Sequence, residues 1–192
     1  MACNVGSMTD EESMRAAIVQ EVELVEHDSE WSLAFDAEKE RIEVLLPQTF
    51  LGIEHIGSTA IDGMPAKPVI DMLAGVESME RARALAEPLR QAGYSTSAEF
   101  NASLDDRQWF MRWRDGRRTH HLHVVEHGGA AWRDRLDFRD ALRLDPWMAE
   151  RYASLKRELA KQHRSDRKAY TDTKFAFVRD ALVDVWSRRA SR

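Results

Sequence analysis

The sequence predicts an α+β protein, a mixed β-sheet flanked by helices and followed by a helical C-terminal part. Three observations carry this expectation. Residues 69–76 form an apolar run broken only by Asp71 and preceded by a loop rich in Gly, Pro, Ser and Thr, the pattern of a strand covered on both faces. Residues 119–126 have the alternation of a strand with two different faces. From Ala130 onward, apolar residues return at helical spacing.

Taken in order, Thr9-Asp10-Glu11-Glu12 has capping-box form and opens a short helix reaching Val19. Residues 21–24 alternate like a half-buried strand. Asp28 or Ser29 caps the next helix, whose Trp31, Phe35, Ile42 and Leu45 share one stripe and which must stop before Pro47. Residues 50–56 read as a strand entering the loop 57–68, and residues 69–76 as a central strand. Ser78 starts a helix running to about Gln91, broken or restarted at Pro88 and ended by Gly93. Strands are expected at 94–98, 108–113 and 119–126, the last two joined at Asp115-Gly116 by a hairpin turn. Trp132, Leu136, Ala141 and Leu142 mark a helix. Asp145-Pro146 opens another, as N-cap followed by proline at the first helical position, carrying Met148, Tyr152, Leu155 and Leu159. Ser165 or Asp166 caps a final helix with Tyr170, Phe177, Ala181 and Val185 inward. The expected organisation is one domain over 1–192, with an N-terminal helical extension at 1–20 and the C-terminal helices of 130–192 packed on the sheet.

Composition narrows the function classes. With 43% hydrophobic and 32% charged residues, the 192-residue chain is neither low-complexity nor disordered in character. No apolar run approaches the roughly 20 residues of a membrane helix. No secretory signal is visible, and the single cysteine, Cys3, allows neither an internal disulfide nor a cysteine-based zinc site; a cytoplasmic location is expected. Residues 1–106 carry 7 basic and 21 acidic side chains, a net of −14, whereas the remainder carries +9. Such asymmetry fits an anionic ligand held on the basic part, or two surfaces of one domain attracting each other. The overall pI near 5.8 argues against a general nucleic-acid coat.

The most specific stretch runs from Glu54 to Asp71. A Gly57-Ser58 turn at a strand end exposes backbone N–H groups and a hydroxyl suited to phosphate oxygens. Asp71 interrupts an otherwise apolar strand, where a carboxylate costs several kcal/mol unless a cation, a proton or strong hydrogen bonds compensate it. Lys67 suits a phosphate or a nearby carboxylate. Four of seven histidines lie within 120–127, and strand parity places His121, His123 and Val125 on one face, against Leu122 and Val124 on the other. Imidazoles two residues apart stand roughly 7 Å apart at the backbone, near enough to converge on one metal. Tyr152 with Lys156 and Tyr170 with Lys174 are i,i+4 pairs, and Arg139 is a further anion clamp or one half of a local pair with Asp140.

These segments together resemble the GrpB family, within the polymerase-beta-like nucleotidyltransferase superfamily. The resemblance rests on Val22-Glu23-Leu24-Val25 with Trp31, His55-Ile56-Gly57-Ser58-Thr59-Ala60, Ala66-Lys67-Pro68-Val69-Ile70-Asp71, His121-Leu122-His123-Val124-Val125, Phe138-Arg139-Asp140, Tyr152-Leu155-Lys156, and Tyr170 with Lys174. It implies a nucleotidyltransferase-like sheet with a Gly-Ser turn ahead of a strand bearing an acidic residue. It also implies a link to coenzyme A biosynthesis, since in some bacteria the domain is fused to the kinase that completes that pathway. Nucleotidyltransferases of this superfamily place an acidic-x-acidic pair after the turn to hold one or two Mg²⁺ ions. Here Leu73 stands where the second carboxylate would be.

The expected function is therefore binding of a nucleotide or other phosphorylated small molecule, with metal-dependent nucleotidyl transfer as the reaction implied. Asp71, His121 and His123 are the catalytic candidates, Asp71 and His123 the metal ligands, and Mg²⁺, or Mn²⁺ or Zn²⁺, the ion. Gly57, Ser58, Thr59, Lys67, Arg139, Lys156, Tyr170 and Lys174 form the phosphate- or nucleotide-binding set. A non-catalytic regulatory module, favoured by Leu73, and a His/Asp metal-dependent hydrolase are the alternatives. Asp62 is an extra ligand or an Asp-Gly turn residue.

Overall fold

The computed structural model describes residues 9–190; Cys3 lies outside them. A five-stranded mixed sheet in the order β1-β2-β5-β4-β3 forms the centre. Its strands are β1 (Gly52–Ile56), β2 (Ile70–Val76), β3 (Tyr94–Ser95), β4 (Gln108–Arg114) and β5 (Arg117–Glu126). Strand β2 runs antiparallel to β1 and parallel to β5, so the strand bearing Asp71 has a neighbour on each side. Asp115 and Gly116, both at positive φ, make the tight β4–β5 turn that Asp-Gly predicts.

Among the described residues eight α-helices surround the sheet: α1 (Asp10–Val19), α2 (Glu30–Leu45), α3 (Met79–Ala84), α4 (Ala86–Gln91), α5 (Ala98–Ala102), α6 (Ala130–Leu144), α7 (Pro146–Gln162) and α8 (Arg167–Ala190). The capping box at Thr9 and Glu12 is formed, and Asp145 accepts from the Met148 N–H with Pro146 at the first helical position. Asp28 caps α2 by accepting from Glu30, and Asp166 caps α8 by accepting from Ala169. One sheet face buries Ile53, Met72, Ala74, Val76, Phe110, Leu122 and Val124 beneath α2, α3 and α4. On the other face Leu73, Ile56 and Val125 pack under Trp132 of α6. No described helix is long and apolar enough to cross a membrane.

Three local expectations are corrected. Residues 21–24 form no strand: Val22 donates its N–H to the Arg164 carbonyl and packs against Leu159 and Tyr170, and ladder pairing is confined to one bridge between Val25 and Ala66. The break in the helix after Ser78 falls at Leu85, not Pro88, which sits in the first turn of α4 where its missing N–H is not needed. The strand expected at 94–98 stops at Ser95, because the Ser97 hydroxyl caps Phe100 and turns the chain into α5.

Charge is also buried on the face away from the cleft. Glu38 of α2, 3% exposed, accepts hydrogen bonds from Arg41, Arg112 and the Tyr94 hydroxyl, the last at 2.6 Å. Burial pushes this carboxyl up, but those donors outweigh it and hold it below its ordinary value.

Candidate functional site

At the end of β1 the chain enters Gly57 at φ +72 and ψ −170, a region only glycine occupies without strain, and then makes one 3₁₀ turn over Ser58–Ala60. A methyl group on Gly57 would stand 2.5 Å from Asp71 Oδ2, so the bare backbone is what lets turn and carboxylate meet. The loop is held from several sides. Val25 and Ala66 exchange two backbone hydrogen bonds of 2.9 Å, and Arg143 donates twice to the Ala60 carbonyl. Ile61 and Met64 pack among Leu142, Met148, Tyr152 and Ala181 of the C-terminal helices.

Beside this turn opens a cavity of about 1210 Å³, lined by Gly57, Ser58, Thr59, Lys67, Asp71, His121, His123, Lys156, Tyr170 and Lys174 among others. Parity holds as the sequence predicts: His121 and His123 face the cleft while Leu122 and Val124 enter the core. Asp71 and His121 are direct partners across the parallel β2–β5 ladder, as are Leu73 and His123. His121 Nδ1 lies 2.8 Å from Asp71 Oδ1 and His123 Nε2 3.9 Å from it, and one donor atom from each of the three lies within 4.8 Å of the others. Leu73 is wholly buried under Trp132, so the position of a second carboxylate on β2 lies outside the cleft.

Burial pushes His121 down to about 4, and also lowers His123, in both cases against the pull of Asp71. For Asp71 burial acts upward, but hydrogen bonding from the two histidines wins and holds it well below the usual carboxylate range. At neutral pH the cluster is therefore one carboxylate with two neutral imidazoles. Since an ionised carboxylate only accepts, His121 carries its proton on Nδ1. Its Nε2, like Nδ1 of His123, is buried with no hydrogen-bond partner among the described residues. The nitrogens turned to Asp71 Oδ1, Nδ1 of His121 and Nε2 of His123, are the ones that would hold a divalent ion beside the carboxylate, the ion taking the place of the Nδ1 proton once the tautomer shifts.

The cationic groups divide. Lys67 and Lys174 both stand over the Tyr170 ring, at 5.0 and 5.6 Å. The Tyr152 oxygen raises Lys174 against burial, and Asp71 and Tyr170 add to the effect. Lys156 is 1% exposed and its Nζ bonds to Ser58 Oγ at 2.9 Å and to the Pro65 carbonyl. Burial, with Lys174 and Arg157 nearby, lowers this amine to about 7. Arg139 is a correction: it does not line the cavity, because its guanidinium is held by Asp140, Glu54 and the His55 carbonyl, the local-pair alternative extended by a second carboxylate. Asp62 is exposed at the loop tip, 3.8 Å from His27, and belongs to the turn.

Sequence reasoning missed Arg107, Trp109 and Arg135, which also line the cleft. Trp109 is the cross-strand partner of His123, so extending the parity argument to β4 would have found it. Arg135 is lowered by burial first and then by Arg107, which puts two guanidinium groups close together; Asp106 bridges them. Nothing in the spacing of these arginines announces that proximity.

The mixed five-stranded sheet flanked by helices, with Asp71, His121 and His123 beside the Gly57-Ser58 turn, makes this an α+β protein with its cleft on one sheet face. The family model described as GrpB protein matches residues 21–183, and the chain belongs to that family. The glutamate-rich protein GrpB of Alkalihalophilus pseudofirmus is 38% identical over 169 residues, covering 86% of this chain and 96% of that one. The crystal structure of the conserved protein GrpB from Enterococcus faecalis superposes with a TM-score of 0.73 at 30% identity, over 85% of this chain and 99% of that chain. A dephospho-CoA kinase of Mycolicibacterium paratuberculosis is 30% identical over 187 residues, which span 86% of this chain and 46% of the kinase.

Proposed function

We propose that the cleft binds a phosphorylated small molecule, with a nucleotide as the best-suited class, together with one divalent metal ion held by Asp71, His121 and His123. The observation that carries this reading is the convergence of those three side chains on the floor of a cavity whose other groups include Lys67, Arg107, Arg135 and Lys174. A cavity of about 1210 Å³ lies above the roughly 300–1,000 Å³ usual for small-ligand sites, ample for a nucleotide. One carboxylate with two neutral imidazoles suits Mn²⁺ or Zn²⁺ better than Mg²⁺, which prefers oxygen donors. When bound, the ion would neutralise phosphate charge as a Lewis acid.

Nucleotidyl transfer is the reaction that the family resemblance implies for this site. The buried Leu73 favours a second reading, a nucleotide-binding module with no transfer, since the two-carboxylate route lacks its second ligand on β2. Calorimetric titration with a nucleoside and its triphosphate, each with Mn²⁺ and with chelator, tests the binding reading. Metal-dependent binding of the triphosphate and not of the nucleoside is the expected result; equal binding of both, or of neither, overturns it.

A further inference from the structure

Lys156 is the least expected group in the molecule. It is a buried cation with no carboxylate within ion-pair distance among the described residues, and its partners are a carbonyl and a hydroxyl. The charged groups acting on it are both cationic, Lys174 of α8 and Arg157 of α7, and the Tyr152 ring lies 4.9 Å from its Nζ. Burial among like charges favours the neutral amine. A neutral amine keeps one lone pair while donating to the Pro65 carbonyl, and the group placed to give that lone pair a proton is the Ser58 hydroxyl, 2.9 Å away. Ser58 lines the cleft and Lys156 comes from 98 residues further along the chain, so the pairing is made by the fold and not by local sequence.

We infer that Ser58 and Lys156 form a nucleophile–base pair, with Ser58 Oγ the atom that attacks a phosphoanhydride held in the cleft. A serine beside a desolvated lysine is one of the ways a hydroxyl becomes reactive. In the first step Ser58 Oγ bonds to phosphorus while the bond from phosphorus to the bridging oxygen breaks. The Oγ proton passes to Lys156 Nζ, and the leaving phosphate departs with the electron pair. In the second step a hydroxyl-bearing acceptor attacks the phosphoserine, Ser58 Oγ leaves and takes the proton back from Lys156, and the acceptor's proton goes to water. Lys67 and Lys174 stand nearby to hold the phosphate charge. The identity of the substrate as a phosphoanhydride rests on the nucleotide-site reading above; the reactivity of Ser58 does not.

An alkyl fluorophosphonate tests the pair directly, because it phosphonylates an activated serine with loss of fluoride and needs neither metal nor nucleotide. The full chain is treated in chelator between pH 6 and pH 9 and followed by intact mass and peptide mapping. The expected result is one adduct, on Ser58, absent in Ser58→Ala and slowed at least tenfold in Lys156→Arg. Arginine keeps the positive charge and the donors but does not release its proton, so a merely structural or phosphate-holding lysine would survive that change. No Ser58 adduct in the parent, or a Lys156→Arg rate within tenfold of it, overturns the inference. Should Lys156→Arg lose its fold by circular dichroism, the parent's own profile decides: a rate levelling off above neutrality supports the pair, and a tenfold rise per pH unit through pH 9 refutes it. Failure of the labelling leaves the metal and nucleotide titrations standing, and their failure leaves the labelling standing.

Discussion

Replacing Gly57 with alanine, beside the same change at Gly63, separates backbone strain from damage to the site. Both glycines have positive φ, +72 and +71. At Gly63 an added methyl meets nothing within 4 Å among the described residues, so Gly63→Ala carries only the left-handed backbone penalty, about 1–2 kcal/mol. At Gly57 the strain is about 1–3 kcal/mol, and the methyl also lies 2.5 Å from Asp71 Oδ2 and 2.9 Å from its Cβ. One of the two must move. Moving Asp71 breaks its 2.8 Å contact with His121, and a hydrogen bond to a charged group contributes about 1.5–3 kcal/mol. Gly57→Ala should therefore cost about 3–5 kcal/mol against about 1–2 for Gly63→Ala. At about 2–4 °C per kcal/mol for a chain of this size, that is a fall in melting temperature of roughly 10 °C against roughly 4 °C. Differential scanning calorimetry reads the stability, and a Zn²⁺ titration reads the cluster, which only Gly57→Ala should weaken. Equal losses in the two variants, with Zn²⁺ affinity unchanged in both, would show that the contact between the turn and Asp71 has no energetic weight.

Other outcomes follow from the same geometry. His55 and His121 are both pushed by burial from 6.5 to about 4; a lowered histidine stabilises above its unfolded value and loses that stability as pH falls from 6.5 towards 4. By pH 5 the loss relative to pH 8 is about 2 kcal/mol for each, and a urea midpoint that stays flat over that range in chelator would contradict it. Glu38→Gln leaves Arg41 and Arg112 without their buried counter-charge and should cost about 3 kcal/mol or more; a change within 0.5 kcal/mol by urea denaturation would mean the pair is not desolvated. Lys174→Met should weaken triphosphate binding in the presence of Mn²⁺ about tenfold, a change of about 1.4 kcal/mol. Calorimetry showing a triphosphate affinity within twofold of the parent's would assign Lys174 to packing against Tyr170.

What the sequence reveals is what local chemistry dictates. Thr9, Asp145 and Pro146 mark helix starts because capping is settled within one turn, and Asp115-Gly116 marks the hairpin because few residue pairs accept its backbone. Asp71, His121 and His123 are legible together because a carboxylate in an apolar strand and two-residue parity are both local signals, although the pairing of β2 with β5 had to be seen. Non-local packing is where the reading fails. Residues 21–24 have a strand's alternation, yet the apolar surface that Val22 needs is supplied by Leu159 and Tyr170. Arg139 and Lys156 looked alike as anion binders; the fold gives one to Glu54 and Asp140 and sets the other against Ser58. Arg107 and Arg135 reach one cleft from different elements, and no spacing encodes that.

The most direct test of the metal–nucleotide site is a crystal of the full chain soaked with Mn²⁺ and a nucleoside triphosphate, with data collected on the manganese absorption edge. The account predicts one anomalous peak bounded by Asp71, His121 and His123, with phosphate density reaching from it towards Gly57, Lys67 and Lys174. An anomalous map empty at those three residues, with the triphosphate bound elsewhere or absent, would contradict it.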